Sequence, residues 1–250
     1  MEGWARQDPV SAAAALAQLP PSSGLDETTT HFVRGWLSSS DADPTDIFSW
    51  VRSLPEKTSA REQAAVAFFE EIGRRDAQSG AKLLAGLDAA TQKSASAGLA
   101  EGWSSTSPEE AAAWTLQLPP EKRTAAVRAV VSNWARRDPI AAAEFAARND
   151  SNGDFVSTVV DEWLPGSPQQ ATAWVESLPR GDVRDAGLAK VAEIVWREDP
   201  SAAVLWASRI SSASRRENEL QSICSRWIRI DPIGATSWIQ NSTLPPKVKS

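Results

Sequence analysis

Asn133–Phe145 reads NWARRDPIAAAEF. Nearly the same string stands at Gly3–Ala15 (GWARQDPVSAAAA), Val195–Trp206 (VWREDPSAAVLW) and Arg226–Trp238 (RWIRIDPIGATSW). A tryptophan, an Asp-Pro, an alanine and a second aromatic follow each other in fixed order. Self-similarity at a fixed period decides fold class before any single segment does. With the proline of each Asp-Pro or Ser-Pro as anchor, the copies stand at Pro9, Pro44, Pro108, Pro139, Pro168, Pro200 and Pro232, and Ala77, after Asp76, fills one more place. Successive anchors lie 29 to 35 residues apart, the length of one supersecondary unit.

Three residues after the anchor comes Ala12, Ile47, Gly80, Ala111, Ala142, Ala171, Ala203 or Ala235, and six after it Ala15, Trp50, Leu83, Trp114, Phe145, Trp174, Trp206 or Trp238. Leu19, Leu54, Leu87, Leu118, Leu178 and Ile210 continue the column ten residues on. Offsets of three, six and ten trace one face of an α-helix. Asp or Ser before the proline is a suitable N-cap, and proline at the first helical position forfeits no hydrogen bond. This first helix should stop near Leu-Pro (Pro20, Pro55, Pro119, Pro179, Pro245), because the residue before proline resists the α conformation. A second helix then runs to the next anchor, as in Glu121–Asp138, with Ala126, Val127, Val130, Val131 and Trp134 on its apolar face. No β-strand pattern is present.

All 12 tryptophans fall in two columns of the repeat. One closes the second helix: Trp4, Trp103, Trp134, Trp163 and Trp227, with Trp196 displaced by one residue, Trp36 by an insert at SSSDAD, and Ile72 in the third copy. The other is the column six after the anchor. The sequence therefore predicts a structural core containing Trp50, Trp103, Trp114, Trp134, Trp163, Trp174, Trp196, Trp206, Trp227 and Trp238. A small residue would let the first helix approach its neighbour, and an indole pair burying about 150–250 Å² per ring would fill the space beside it.

DPIAAAEF, DPSAAVLW and DPIGATSW resemble the start of a tetratricopeptide (TPR) unit, where Asp-Pro precedes an alanine and then a bulky aromatic. The likeness recurs from Trp4 to Asn241. The period is shorter than in that family, and its Leu-Gly, Tyr and later Gly-Tyr signatures are missing. The resemblance implies an all-α, right-handed solenoid of about eight helix–turn–helix repeats, a single array over residues 1–250. Its inner surface, lined by the first helices, would hold peptide or protein partners without a cofactor. The array reads as cut at both ends: Met1–Asp8 is like the tail of a second helix, and LPPKVKS like the entry to another.

Composition narrows the function classes. The net charge of −6 argues against a surface that tracks phosphates. No apolar run reaches membrane-spanning length. MEGWARQDP carries no signal-peptide pattern, so the compartment reads as cytoplasmic by default, or periplasmic or secreted if an upstream signal has been removed. Cys224 is the only cysteine and His31 the only histidine, which argues against a metal site, and the surroundings of His31, TTTHFVRGW, show no nucleophile motif. Gly98–Trp103 (GLAEGW) matches no phosphate-binding loop. Glu70-Glu71 precede Arg74 and Arg75 at helical spacing, and Glu109-Glu110 suit a first helical turn. The tryptophan columns share a face with Ala, Val and Leu, so they read as packing and not as a stacking platform for bases.

Two surface features remain. Arg61, Arg123, Arg184 and Arg216 form a column eleven residues before the tryptophan position of their second helices. They would serve either the turn between the two helices, through a salt bridge or its carbonyls, or an acidic or phosphorylated partner. The positions one, five and eight after the anchor should be open, and Thr45, Ser49 and Arg52 in one copy, with Gln169, Ala173 and Glu176 in another, are the candidate partner-binding residues. The expected function is a non-catalytic protein–protein interaction scaffold with no cofactor, no metal, no nucleic acid and no membrane insertion. The alternatives are a structural or envelope-associated array that self-associates and, more remotely, an enzyme on a helical scaffold.

Overall fold

The computed structural model describes residues 1–16, 23–39, 42–242 and 244, and only the backbone of 23–26. Leu19, Pro20, Pro245 and part of the SSSDAD insert lie outside the described residues. The described chain is helical throughout and contains no strand. Its contacts group into two compact units, Met1–Trp134 and Ala135–Ser250.

The first unit holds α1 (Glu2–Gln7), α2 (Pro9–Leu16), α3 (Ser23–Leu37), α4 (Pro44–Ser53), α5 (Ser59–Leu83), a 3-10 turn at Leu84–Gly86, α6 (Ala89–Ser104) and α7 (Pro108–Leu116). Helix α8 (Pro120–Arg137) runs to the boundary. The second unit holds α9 (Pro139–Asn149), α10 (Asp154–Trp163), α11 (Pro168–Ser177), α12 (Asp182–Val195), α13 (Pro200–Ala207), α14 (Ala213–Ile230) and α15 (Pro232–Asn241). All seven anchor prolines are the first residue of a helix.

One residue makes each corner. Asp8, Asp76, Ser107, Asp138, Ser167, Asp199 and Asp231 all adopt φ between −150° and −134° and ψ between 68° and 93°. At Asp76, where no proline follows, the same backbone bend appears as a kink inside α5. Asp43, beside the insert, differs, with φ −90° and ψ 116°. The corner N–H donates back to the carbonyl four residues earlier, which is that of Trp4, Trp103, Trp163 or Trp227 at 2.8–3.0 Å. The corner carbonyl accepts from the alanine four residues later: Ala12, Ala111, Ala142, Ala171, Ala203 or Ala235, at 3.0–3.1 Å. The recurring Trp, Asp-Pro and Ala are thus the successive members of one hydrogen-bonded bend. Aspartate adds a cap, its carboxylate accepting the N–H three residues on at Asp8, Asp76, Asp138, Asp199 and Asp231. Ser107 and Ser167 make no side-chain cap, so at those corners the backbone geometry suffices.

The column three after the anchor is buried in every copy, as the sequence predicts. The column seven after it is buried equally consistently: Leu16, Val51, Leu84, Thr115, Ala146, Val175, Ala207 and Ile239. The tryptophans differ from expectation. Trp103, Trp134 and Trp163 are buried, but Trp50, Trp114, Trp174, Trp196, Trp206, Trp227 and Trp238 are only half-buried, and Trp4 is exposed. For the column at offset six the reason is reach: offsets three and seven point at the neighbouring helix axis, whereas an indole at offset six leans across the corner and keeps its outer edge in solvent. It does meet the tryptophan that closes the preceding helix. Trp103–Trp114, Trp163–Trp174 and Trp227–Trp238 have ring centroids 5.4–5.9 Å apart and tilted planes, an arrangement worth about 0.5–1.5 kcal/mol beyond area burial.

Within each unit the second helices also pack on one another, α1 on α3, α3 on α5 and α5 on α6 in the first, and α10 on α12 in the second. The residue immediately before the closing tryptophan faces the preceding second helix. Gly35 lies against the backbone of Glu2, and Gly102 against that of Glu70, so close that a Cβ at either would overlap those atoms. Gly98, one turn earlier, would place a Cβ 2.7 Å from the Val66 carbonyl oxygen. The glycines of GLAEGW therefore serve helix approach.

Candidate functional site

All six candidate partner-binding positions are exposed: Thr45, Ser49 and Arg52 on α4, Gln169, Ala173 and Glu176 on α11. Several are engaged locally. The Thr45 hydroxyl donates to Asp43 (2.7 Å), the Ser49 hydroxyl to the Thr45 carbonyl (2.8 Å), and Glu176 pairs with Arg209. Arg209 in turn lies 4.4 Å over the Trp206 ring.

The arginine column serves the turns. Arg61, almost fully buried, donates through Nη1 to the carbonyls of Arg52 (2.9 Å) and Leu54 (2.7 Å), and its Nε lies 3.2 Å from Asp88. Arg123 reaches the Leu118 carbonyl (3.0 Å), and Arg216 those of Ile210 (2.6 Å) and Ser211 (3.3 Å). These carbonyls belong to the end of the preceding first helix, which has no intrahelical donor for them. The Arg184 Nε, like that of Arg61, is buried without a hydrogen-bond partner. Sequence reasoning missed the complementary acid. Asp185, buried on α12, accepts from the backbone N–H groups of Ser211 (2.7 Å) and Ser212 (2.8 Å) and holds the turn from its other side. Its place in the first turn of a helix is unremarkable in sequence.

The residues weighed for chemistry are spread apart. His31 faces Glu2 (3.3 Å) and Glu27 (3.7 Å) on the first unit. Cys224 is buried in α14 of the second unit, and burial pushes its thiol up from the ordinary value. Glu70 pairs with Arg74 and with Arg34 of α3 (3.0 Å), and Glu71 with Arg74 and Arg75. Glu109 and Glu110 are exposed in the first turn of α7. Among the described residues no group of three or more His, Cys, Asp or Glu is placed to hold a metal ion, and no helix is long and apolar enough to cross a membrane.

A groove of about 420 Å³ opens in the second unit between α12 and α14, with Ser157 of α10 at its edge. Helix α10 packs closely on α12, with Gly187 set against Val156. Helix α14 approaches α12 much less closely; the register that carries Gly98 and Gly102 in α6 carries Ser222 and Arg226 in α14. The floor is Ala186, Ala189 and Ile223. Arg215, Glu219, Ser222 and Arg226 line the α14 wall, at the i, i+4, i+7, i+11 spacing of one helix face. Lys190 and Glu193 of α12 stand opposite and pair with each other at 2.9 Å; Lys190 also lies 3.8 Å from Asp161. The Arg226 guanidinium lies 4.8 Å over the Trp196 ring, and its buried Nε has no partner. Neither Arg215, Arg226 nor Glu219 forms an ion pair among the described residues. Sequence reasoning did not single out this set, since its arginines lie outside the repeating column.

Comparison with protein-family models, with curated proteins and with solved structures finds no match for the chain.

Proposed function

We propose that this protein is a non-catalytic protein–protein interaction scaffold. In this reading its copies form a TPR-like right-handed α-solenoid of about eight helix–turn–helix repeats. The recurrent single-residue corner supports the repeat reading, since it gives successive copies the same bend. The observation that carries the functional reading is the groove between α12 and α14. Its guanidinium and hydroxyl groups are fixed on rigid helices and left without intramolecular acid partners, which is a surface arranged to be completed by another molecule. A second reading, self-association, is favoured by the exposed apolar side chains Ile228, Ile230 and Ile233 at the junction of α14 and α15.

Affinity capture with the full chain, followed by mass spectrometry and light scattering of the purified protein, tests both. A stoichiometric foreign protein that reconstitutes with the purified chain supports the scaffold. Concentration-dependent growth in mass, abolished by replacing Ile230 and Ile233 with Ser, supports the self-associating array. Both readings fail if neither outcome is observed.

A further inference from the structure

We infer that the groove between α12 and α14 is a docking site for an extended acidic peptide segment, two of whose carboxylates are held by Arg215 and Arg226; this rests on the scaffold reading. The inference starts from how other copies use the same register. The residue before the closing tryptophan is Gly35 in α3 and Gly102 in α6, and both bring the second helix against the backbone of the one before. In α14 that residue is Arg226, and the helix stands off.

The side chain is also held in readiness. The cation–π contact with Trp196 holds the Arg226 guanidinium over the ring, so less freedom is lost when it grips a carboxylate. Arg215 lies eleven residues earlier on the same face, about 16 Å along the helix axis at 1.5 Å per residue. Between the two, the floor of Ala186, Ala189 and Ile223 is small and apolar. The ligand that matches has an acid at each end and about four small residues between, since an extended chain spans about 3.3 Å per residue. A single small anion meets only one of the arginines. A nucleic acid brings phosphates along its whole length, and these would meet Glu193 and Glu219 on the groove walls. Glu219, without an ion-pair partner, is left to accept peptide N–H groups. The arginine fork recognises carboxylate in two parallel hydrogen bonds.

The test uses the full chain, labelled with nitrogen-15, and the blocked hexapeptide acetyl-EAAAAE-amide as probe. Saturable shifts confined to α12, α14 and the Trp196 indole N–H are expected. Arg215→Gln and Arg226→Gln should each weaken binding about tenfold or more. Arg226→Lys, which keeps the charge and can keep a cation over Trp196, should weaken it less than Arg226→Gln, and it guards against a variant that simply fails to fold. Acetyl-KAAAAK-amide should leave the spectrum unchanged. The inference is overturned if the acidic and basic peptides shift the same signals equally, if the arginine variants bind the acidic peptide as wild type does, or if inorganic phosphate occupies the groove more tightly than the peptide. A captured partner retained undiminished by the Arg215→Gln/Arg226→Gln double variant would overturn this site while leaving the scaffold reading standing. Absence of any protein partner would remove the scaffold reading itself.

Discussion

Replacing Gly102 with Ala tests the closest approach in the first unit. Ordinarily an alanine inside a helix is favoured over glycine by about 1 kcal/mol. Here the added methyl would overlap the carbonyl oxygen of Glu70, which is backbone and cannot rotate aside. Gly98 one turn away and Gly73 on the facing helix are under the same constraint: a Cβ on Gly73 would lie 2.5 Å from the Leu99 carbonyl oxygen and 2.8 Å from the Trp103 amide nitrogen. Helix α6 must therefore retreat from α5 along the whole seam. A gap of about 0.5–1 Å forfeits a quarter to a half of each dispersion contact it opens. Overpacking costs about 1–3 kcal/mol when side chains can adjust, and a backbone neighbour places this site at the upper end. Subtracting the helix-propensity gain leaves a net loss of about 2 kcal/mol. Gly3 occupies the same position before Trp4, but a Cβ there meets nothing within 4 Å, so Gly3→Ala should be neutral or stabilising by up to about 1 kcal/mol. Urea unfolding monitored by circular dichroism gives the sign. Amide hydrogen exchange gives the location, which matters because long repeat chains need not unfold in one step. Gly102→Ala should lower the midpoint and speed exchange in α5 and α6. A Gly102→Ala chain as stable as wild type would refute the glycine-seam argument.

Other perturbations have equally definite signs. Arg61→Leu removes the donor from the Arg52 and Leu54 carbonyls and should cost about 1.5–3 kcal/mol; Arg61→Lys should restore only part, since an ammonium lacks the planar fork, and urea midpoints of the two variants check this. Trp163→Ala should cost about 3–5 kcal/mol and Trp174→Ala clearly less, because Trp163 is buried and its ring partner is half-buried; equal losses would contradict the burial pattern. Hydrogen bonds from Thr91, with Arg61 nearby, hold the Asp88 carboxyl below its ordinary 3.8. Its stabilising effect is thus complete above that value and lost as pH falls through the lower folded-state value. The stability difference between wild type and Asp88→Asn, measured by urea titration, should therefore be present at neutral pH and shrink below about pH 4.

The parts of this fold legible in the sequence are those decided within one turn of the chain. Asp-Pro fixes a corner because the carboxylate, the proline ring and the two flanking backbone hydrogen bonds are all local. The kink at Asp76 shows that the residue before the anchor carries the bend even where the proline is gone. The eleven-residue interval between paired tryptophans was legible for the same reason. The column seven after the anchor was not, because it reads Leu, Val, Leu, Thr, Ala, Val, Ala and Ile, and Thr115 or Ala146 does not stand out as core beside an indole. Tryptophan is conspicuous in sequence, yet depth is set by which offset points at the neighbouring helix axis. The arginine column was recognised as recurrent, and its ambiguity between a turn clamp and a partner contact was resolved only by the carbonyl distances.

The groove was illegible for a different reason. Its existence depends on the separation of α12 and α14, which no local sequence pattern announces. At the position before the closing tryptophan the chain writes Gly3, Gly35, Gly102, Asn133, Glu162, Val195 and Arg226. Two of these glycines bring the second helix onto its predecessor's backbone. In α8, Asn133 uses its amide to reach the Glu101 carbonyl (3.2 Å) and the Ser104 hydroxyl (2.9 Å). Arg226 reaches over an indole and leaves its Nε unsatisfied. The columns at three and seven are buried in every copy, while this register changes from copy to copy. Asn133, Glu162, Val195 and Arg226 all depart from glycine at this position, and of the four only Arg226 lines the groove.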